Sequence, residues 1–107
     1  MKLAIIGSRN CPKIDIGAYI EEMPTEIVSG GAKGADTLAR EWALQNGIAL
    51  KEFLIERKRG GAFIRNRQIA EYCDEVLAFW DGESHGTKYT MDYAKKLGKR
   101  VRVVRFS

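Results

Sequence analysis

The sequence predicts an α/β domain of Rossmann-like three-layer form, with a mostly parallel five-stranded sheet and helices on both faces. Three observations predict it. Five short apolar runs are separated by stretches of helical periodicity, the runs favour β-branched and aromatic residues, and the two prolines, Pro12 and Pro24, both fall at boundaries. Strands alternating with helices imply βαβ crossovers, and these give parallel pairing with both sheet faces covered. The 107 residues, 45% of them apolar, suit one domain, residues 1–107, whose core needs no metal or disulfide staple.

The elements follow in order. Residues 2–6 (KLAII) read as the first strand, and Ile16, Tyr19, Ile20 and Met23 then mark a first helix. Residues 26–28 (EIV) form the second strand. Ala35, Leu38, Ala39, Trp42 and Ala43 recur at the spacing of one helical face, with Asn46-Gly47 as the stop. Residues 48–54 (IALKEFL) give the third strand, and Ala62, Asn66, Ile69, Ala70 and Cys73 mark a third helix. Residues 75–80 (EVLAFW) give the fourth strand. Thr90, Tyr93, Ala94 and Leu97 mark the last helix, closed by Gly98, and residues 100–104 (RVRVV) end the sheet. Arg100 and Arg102 alternate there, as suits an edge guarded against unwanted pairing.

Charge narrows the function classes. The net charge of +4 is mild for a dedicated DNA-binding module, but residues 1–53 carry 6 basic and 7 acidic side chains against 12 and 7 in residues 54–107. The basic excess gathers at Arg57, Lys58, Arg59, Arg65 and Arg67, and again from Lys95 to Arg105. It reads either as a solvated face or as an anion-attracting rim. No apolar run is long enough to span a membrane, and the opening MKLAIIG does not fit a secretory signal, so a cytoplasmic location with no membrane partner is expected. Cys11 and Cys73 form no metal-ligand spacing and read as free thiols; neither a metal nor a cofactor is expected.

In a sheet of this kind ligands bind beyond the carboxyl ends of the strands, so the residues after each strand matter most. Gly7, Ser8 and Arg9 follow the first: a permissive turn, a hydroxyl and a guanidinium fork suited to phosphate or carboxylate. Neither GxGxxG nor GxxxxGK[ST] occurs, which argues against classical dinucleotide binding and ATP hydrolysis. "SGGAKGAD" follows the second strand, where Ser29, Gly30, Gly31, Ala32, Lys33 and Gly34 form a loop whose amides can meet an anion at a helix start. Asp36 either favours the dipole of that helix or touches a ligand.

After the third strand, Asn66 falls on an apolar helix face and needs a hydrogen-bond partner, flanked by Arg65 and Arg67, of which the spacing does not say which faces the site. After the fourth, Trp80 either stacks a base or joins the core, and Gly86 and Thr87 open a second helix start at the same edge. The lone His85 has no partner for a catalytic triad.

Together "IIGSRNC", "IVSGGAKGADTLAREWA", "GAFIRNRQIAEYCDEVLAFWDGESHGT" and "GKRVRVV" resemble the SLOG superfamily of Rossmann-like nucleotide-binding domains, above all its small YspA-like members. The resemblance implies binding or sensing of a nucleotide or nucleotide-derived phosphorylated ligand. Two relatives imply alternatives. The core of DNA-processing protein A, which loads recombinase onto single-stranded DNA, is similar at Ser29, Gly30, Ala32, Gly34, Asp36 and Arg65-Asn66-Arg67, implying weak single-stranded nucleic acid as a partner. The LOG cytokinin-activating phosphoribohydrolases carry an arginine matching Arg65 and a PGGxGTxxE loop. Here that loop runs from Gly82 to Thr90: the GT stands at Gly86-Thr87, Glu83 and Ser84 replace two glycines, and Thr90 replaces the catalytic glutamate. A threonine supplies no negative charge to an oxocarbenium-like sugar, so base release needs Asp81, Glu83 or Asp92 as a substitute. Related domains often pair through helices, so a homodimer is a further expectation.

Overall fold

The apolar runs become the strands of one sheet in a computed structural model that describes residues 1–55 and 59–106. They are β1 (Lys2–Gly7), β2 (Glu26–Ser29), β3 (Ala49–Glu52), β4 (Glu75–Trp80) and β5 (Arg100–Arg105). The helices are α1 (Ala35–Gln45), α2 (Gly61–Tyr72) and α3 (His85–Lys96). Strand order is β3-β2-β1-β4-β5 and every pairing is parallel, with Ala4 of β1 opposite Val28 on one side and Val76 on the other.

The period of two along each central strand divides the core. Ala4, Ile6, Val28, Val76 and Ala78 face Ile69, Ala70, Met91 and Ala94 of α2 and α3. Leu3, Ile5, Ile27, Leu77 and Phe79 face Ala35, Ala39 and Ala43 of α1. Strands buried on both faces explain why β1 and β4 read as unbroken apolar runs. Cys73, at the end of α2, belongs to the first cluster and Cys11 lies at the edge of the second; both are free thiols.

The first expected helix is absent. Between β1 and β2 the chain makes a single 3₁₀ turn, Ile16–Tyr19, started by the Asp15 carboxylate accepting from the Gly17 N–H at 3.1 Å. Gly17 weakens a helix there and Pro24 pushes Met23 out of helical geometry, so the apolar spacing has no scaffold to act on. Met23 is 58% exposed, whereas Ile16 is buried. The segment is held to the sheet edge by arginines of β5: Arg102 donates to the Tyr19 carbonyl at 2.8 Å and Arg100 pairs with Glu21 at 2.7 Å. The third strand is shorter than the run 48–54, and Leu97 caps α3 instead of packing beneath it, leaving it 43% exposed. Arg57 and Lys58 of the expected basic cluster lie outside the described residues.

Candidate functional site

The order of the strands creates the site. From β1 the chain winds outward to β2 and β3, then α2 carries it back to β4 on the other side of β1, so the loops above β1 and β4 part. A cavity of about 450 Å³ opens there. Gly7, Ser8, Arg9 and Asn10 line it from the end of β1, and Ala32, Lys33 and Asp36 from the approach to α1. Ala62, Arg65, Asn66 and Ile69 of α2 form one wall; Asp81, Ser84, Gly86, Thr87 and Thr90 form another, and Ile6 and Ile55 add apolar surface.

Arg65 is held from two sides. Its Nη1 donates to the Gly30 carbonyl at 3.0 Å and its Nε to Asn66 Oδ1 at 2.9 Å, which gives the buried asparagine its partner. This approach requires glycine at position 30, because a Cβ there would collide with the guanidinium. Burial works against the charged form of Arg65, the nearby Asp36 carboxylate favours it, and Arg9 opposes it. Asp36 is buried and its Oδ2 accepts from the Ala32 N–H at 3.0 Å. Burial raises its carboxyl above the usual range, while the Ala32 N–H and the charge of Arg65 pull it down. Ser29 Oγ, fully buried, lies near this carboxylate and helps to pull it down, and among the described residues it closes no hydrogen bond of good geometry.

Two helices begin at this edge. Gly34 precedes α1 with φ 78° and ψ −124° and supplies no side-chain cap. A Cβ there would stand 2.6 Å from the Ser8 carbonyl oxygen, so only glycine lets the start of α1 press against the loop after β1. The start of α3 is closed by its own side chains. Ser84 Oγ accepts from the Thr87 N–H at 3.5 Å and lies 3.1 Å from Thr87 Oγ1. Asp81 Oδ1 accepts from the N–H groups of Glu83 at 2.9 Å and Ser84 at 2.8 Å, and these donors hold its carboxyl below the usual range. Ser8, also buried, accepts from the Asp81 N–H at 3.2 Å and ties the β1 and β4 ends together.

Of the residues singled out in the sequence, Gly7, Ser8, Arg9, Ala32, Lys33, Asp36, Arg65, Asn66, Gly86 and Thr87 line the cavity. Ser29, Gly30, Gly31, Gly34 and Trp80 do not; the first four shape the loop, and Trp80 packs on the core with its Nε1 donating to the Ser84 carbonyl at 3.0 Å. Arg67 points the other way, its Nε donating to the Tyr89 hydroxyl at 2.9 Å. Asn10, Ser84, Thr90 and Asp81 also line the cavity; the sequence names the last three only in the loop compared with the base-releasing enzymes, and Asn10 carries no signal of its own. Cys11 is not a lining residue, and burial raises its thiol above the ordinary value. Among the described residues no cluster of side chains suits a metal ion.

Fold and site thus define a Rossmann-like α/β domain with a cation-lined crevice at its switch point. The chain belongs to the YspA, cpYpsA-related SLOG family, whose model matches residues 1–60 and so includes the loop after β1 and all of α1. Membership associates it with nucleotide-related function. No curated protein and no solved structure matched the chain. Among the described residues no helix is long and apolar enough to cross a membrane.

Proposed function

We propose that the protein binds or senses a nucleotide or nucleotide-derived phosphorylated ligand at the carboxyl edge of its sheet. The observation that carries this reading is the cation set: Arg9, Lys33 and Arg65 border one cavity, beside a helix start with no cap of its own and against a single buried carboxylate, Asp36. Phosphate gains charge-assisted hydrogen bonds from such a set and amide donors from the adjoining loop. Calorimetric titration with nucleoside mono- and diphosphates, cyclic nucleotides and ADP-ribose-type compounds tests it. Saturable binding is expected, and no heat up to about millimolar ligand, a binding energy of roughly 4 kcal/mol, would sink it.

The charges elsewhere favour a small ligand over a nucleic acid strand. Among the described basic residues of the second half, Lys88 pairs with Asp92 at 2.7 Å, Arg100 with Glu21, and Arg102 with Glu75 at 3.3 Å. Lys99 donates to the Glu71 carbonyl at 2.7 Å and Arg105 stacks over Trp80. These five cations, among the described residues, are engaged within the fold and so are not free to follow a backbone. Base release has one supporting observation. Thr90 Oγ1 is committed to the Gly86 carbonyl at 2.9 Å, and of Asp81, Glu83 and Asp92 only Asp81 lines the cavity. Detection of free base after incubation with nucleoside monophosphates separates an enzyme from a binding domain.

A further inference from the structure

The cavity is charged unevenly. Of its three lining cations, Lys33 and Arg65 share their side with Asp36 and Arg9 stands between at the end of β1, whereas Asp81 enters from β4. The loop bearing Lys33 follows β2, and β2 and β4 flank β1. Two strand spacings amount to about 10 Å, so the Asp81 carboxylate stands across the crevice from that loop.

Both backbone N–H groups that Asp81 receives fall on Oδ1. The Ser8 and Asn10 side chains stand close enough to help hold its carboxyl low, yet among the described residues neither closes a hydrogen bond on Oδ2, which leaves room for a further donor from the cavity that Asp81 lines. A phosphate on this side would meet a like charge. An uncharged group with hydroxyl donors would not, and a carboxylate oxygen has two lone pairs to accept them. The neighbouring Ser84 and Thr87 hydroxyls, 3.1 Å apart, add further polar contacts for a sugar and no charge.

We propose that the ligand carries, beyond the phosphate held by Arg9, Lys33 and Arg65, a free vicinal diol of the ribose type whose hydroxyls donate to Asp81 Oδ2. The proposal rests on the phosphate reading above and adds a preference: ribonucleotides are taken over their deoxy counterparts. A phosphoester with a sugar between the two sides fills the span, each end closed by a hydrogen bond of about 3 Å.

The test is calorimetric titration of AMP and UMP, and of their 2′,3′-dideoxy counterparts, against the intact chain and against Asp81→Asn. The asparagine keeps Oδ1 as acceptor for the Glu83 and Ser84 N–H groups, and a thermal melt checks that the variant folds. On the unaltered protein the dideoxy compounds should bind at least about tenfold more weakly, the scale of a lost hydrogen bond to a charged group. In Asp81→Asn that gap should narrow to about twofold or less. Equal binding of diol and dideoxy ligands by the unaltered protein overturns the diol proposal and leaves the phosphate reading intact. A gap that persists undiminished in Asp81→Asn overturns the assignment to Asp81. No binding by any of the four compounds overturns this proposal, and the phosphate reading falls with it only if the wider nucleotide and ADP-ribose-type series above also gives no binding. The comparison on the unaltered protein needs no variant, so it holds even if Asp81→Asn fails to fold.

Discussion

The starts of α1 and α3 lie at one edge of one sheet and solve the same chemical problem in opposite ways. Each helix begins with amide N–H groups that its own turns leave unpaired. At α3 the protein closes them internally, with Ser84 as cap and Asp81 bracing the preceding loop. At α1 it uses Gly34 and no cap, and brings Arg65 against the loop instead. The difference teaches where an anion gains most: beside the helix start that no side chain caps, where Arg65 offsets the first-turn Asp36, and not beside the one whose N–H groups its own serine already serves.

Glycine substitutions break this comparison most sharply. Gly34→Ala should destabilise the fold by about 3 kcal/mol or more, since the backbone is strained for any side chain and the new Cβ meets the Ser8 and Arg9 carbonyls. Gly86→Ala in α3 should be neutral or stabilise by up to about 1 kcal/mol, because its nearest contact is the Asn66 amide at 3.8 Å. Urea denaturation of both variants measures the contrast. Next comes Arg65→Lys, which keeps the charge but loses the fork joining Gly30 and Asn66. Affinity for a phosphorylated ligand should fall about tenfold. Ser84→Ala should instead lower stability by about 0.5–1 kcal/mol, at the low end for a lost cap given the 3.5 Å bond, with phosphate affinity changed by less than about twofold.

Acid titration separates the two carboxylates. Asp81 is depressed on folding, so its contribution to stability is present above the ordinary carboxylate value and is lost as pH falls through its folded value. Asp36 is raised, so its contribution is full below the ordinary value and is lost as pH rises through its folded value. Stability measured against pH should therefore show Asp81→Asn flattening the acid-side loss and Asp36→Asn flattening the opposing trend. The smallest effect belongs to exposed Lys33: Lys33→Ala should weaken phosphate binding about threefold at low ionic strength and less at higher salt.

Much of this was legible in the sequence because burial on both faces leaves so plain a mark. The runs KLAII and EVLAFW become β1 and β4, and the residues after them meet at the crevice. Three matters were not legible. Arg65 and Arg67 flank Asn66 by about 100° on either side of the α2 axis, so the sequence is symmetric between them; the packing of α3 against α2 decides, with Tyr89 taking Arg67. Asp81 is offered by the sequence only alongside Glu83 and Asp92, and the fold alone separates it from them by bringing it to the cavity. The spacing of Ile16, Tyr19, Ile20 and Met23 matches a helix, yet Gly17 and Pro24 prevail, and tertiary contacts settle such short segments.

That missing helix has a consequence for motion. Irregular chain around the Ile16–Tyr19 turn covers one flank of the sheet, seated by Ile16 and by Tyr19 against Phe79, while its far end is fastened at the β5 edge by exposed ion pairs and one carbonyl contact. Exposed pairs weaken with salt, so this flap should unlatch before the strands beneath it, and amide hydrogen exchange should speed up there as ionic strength rises. The carboxyl edge that bears the crevice is braced independently, through Ser8 and the end of β4.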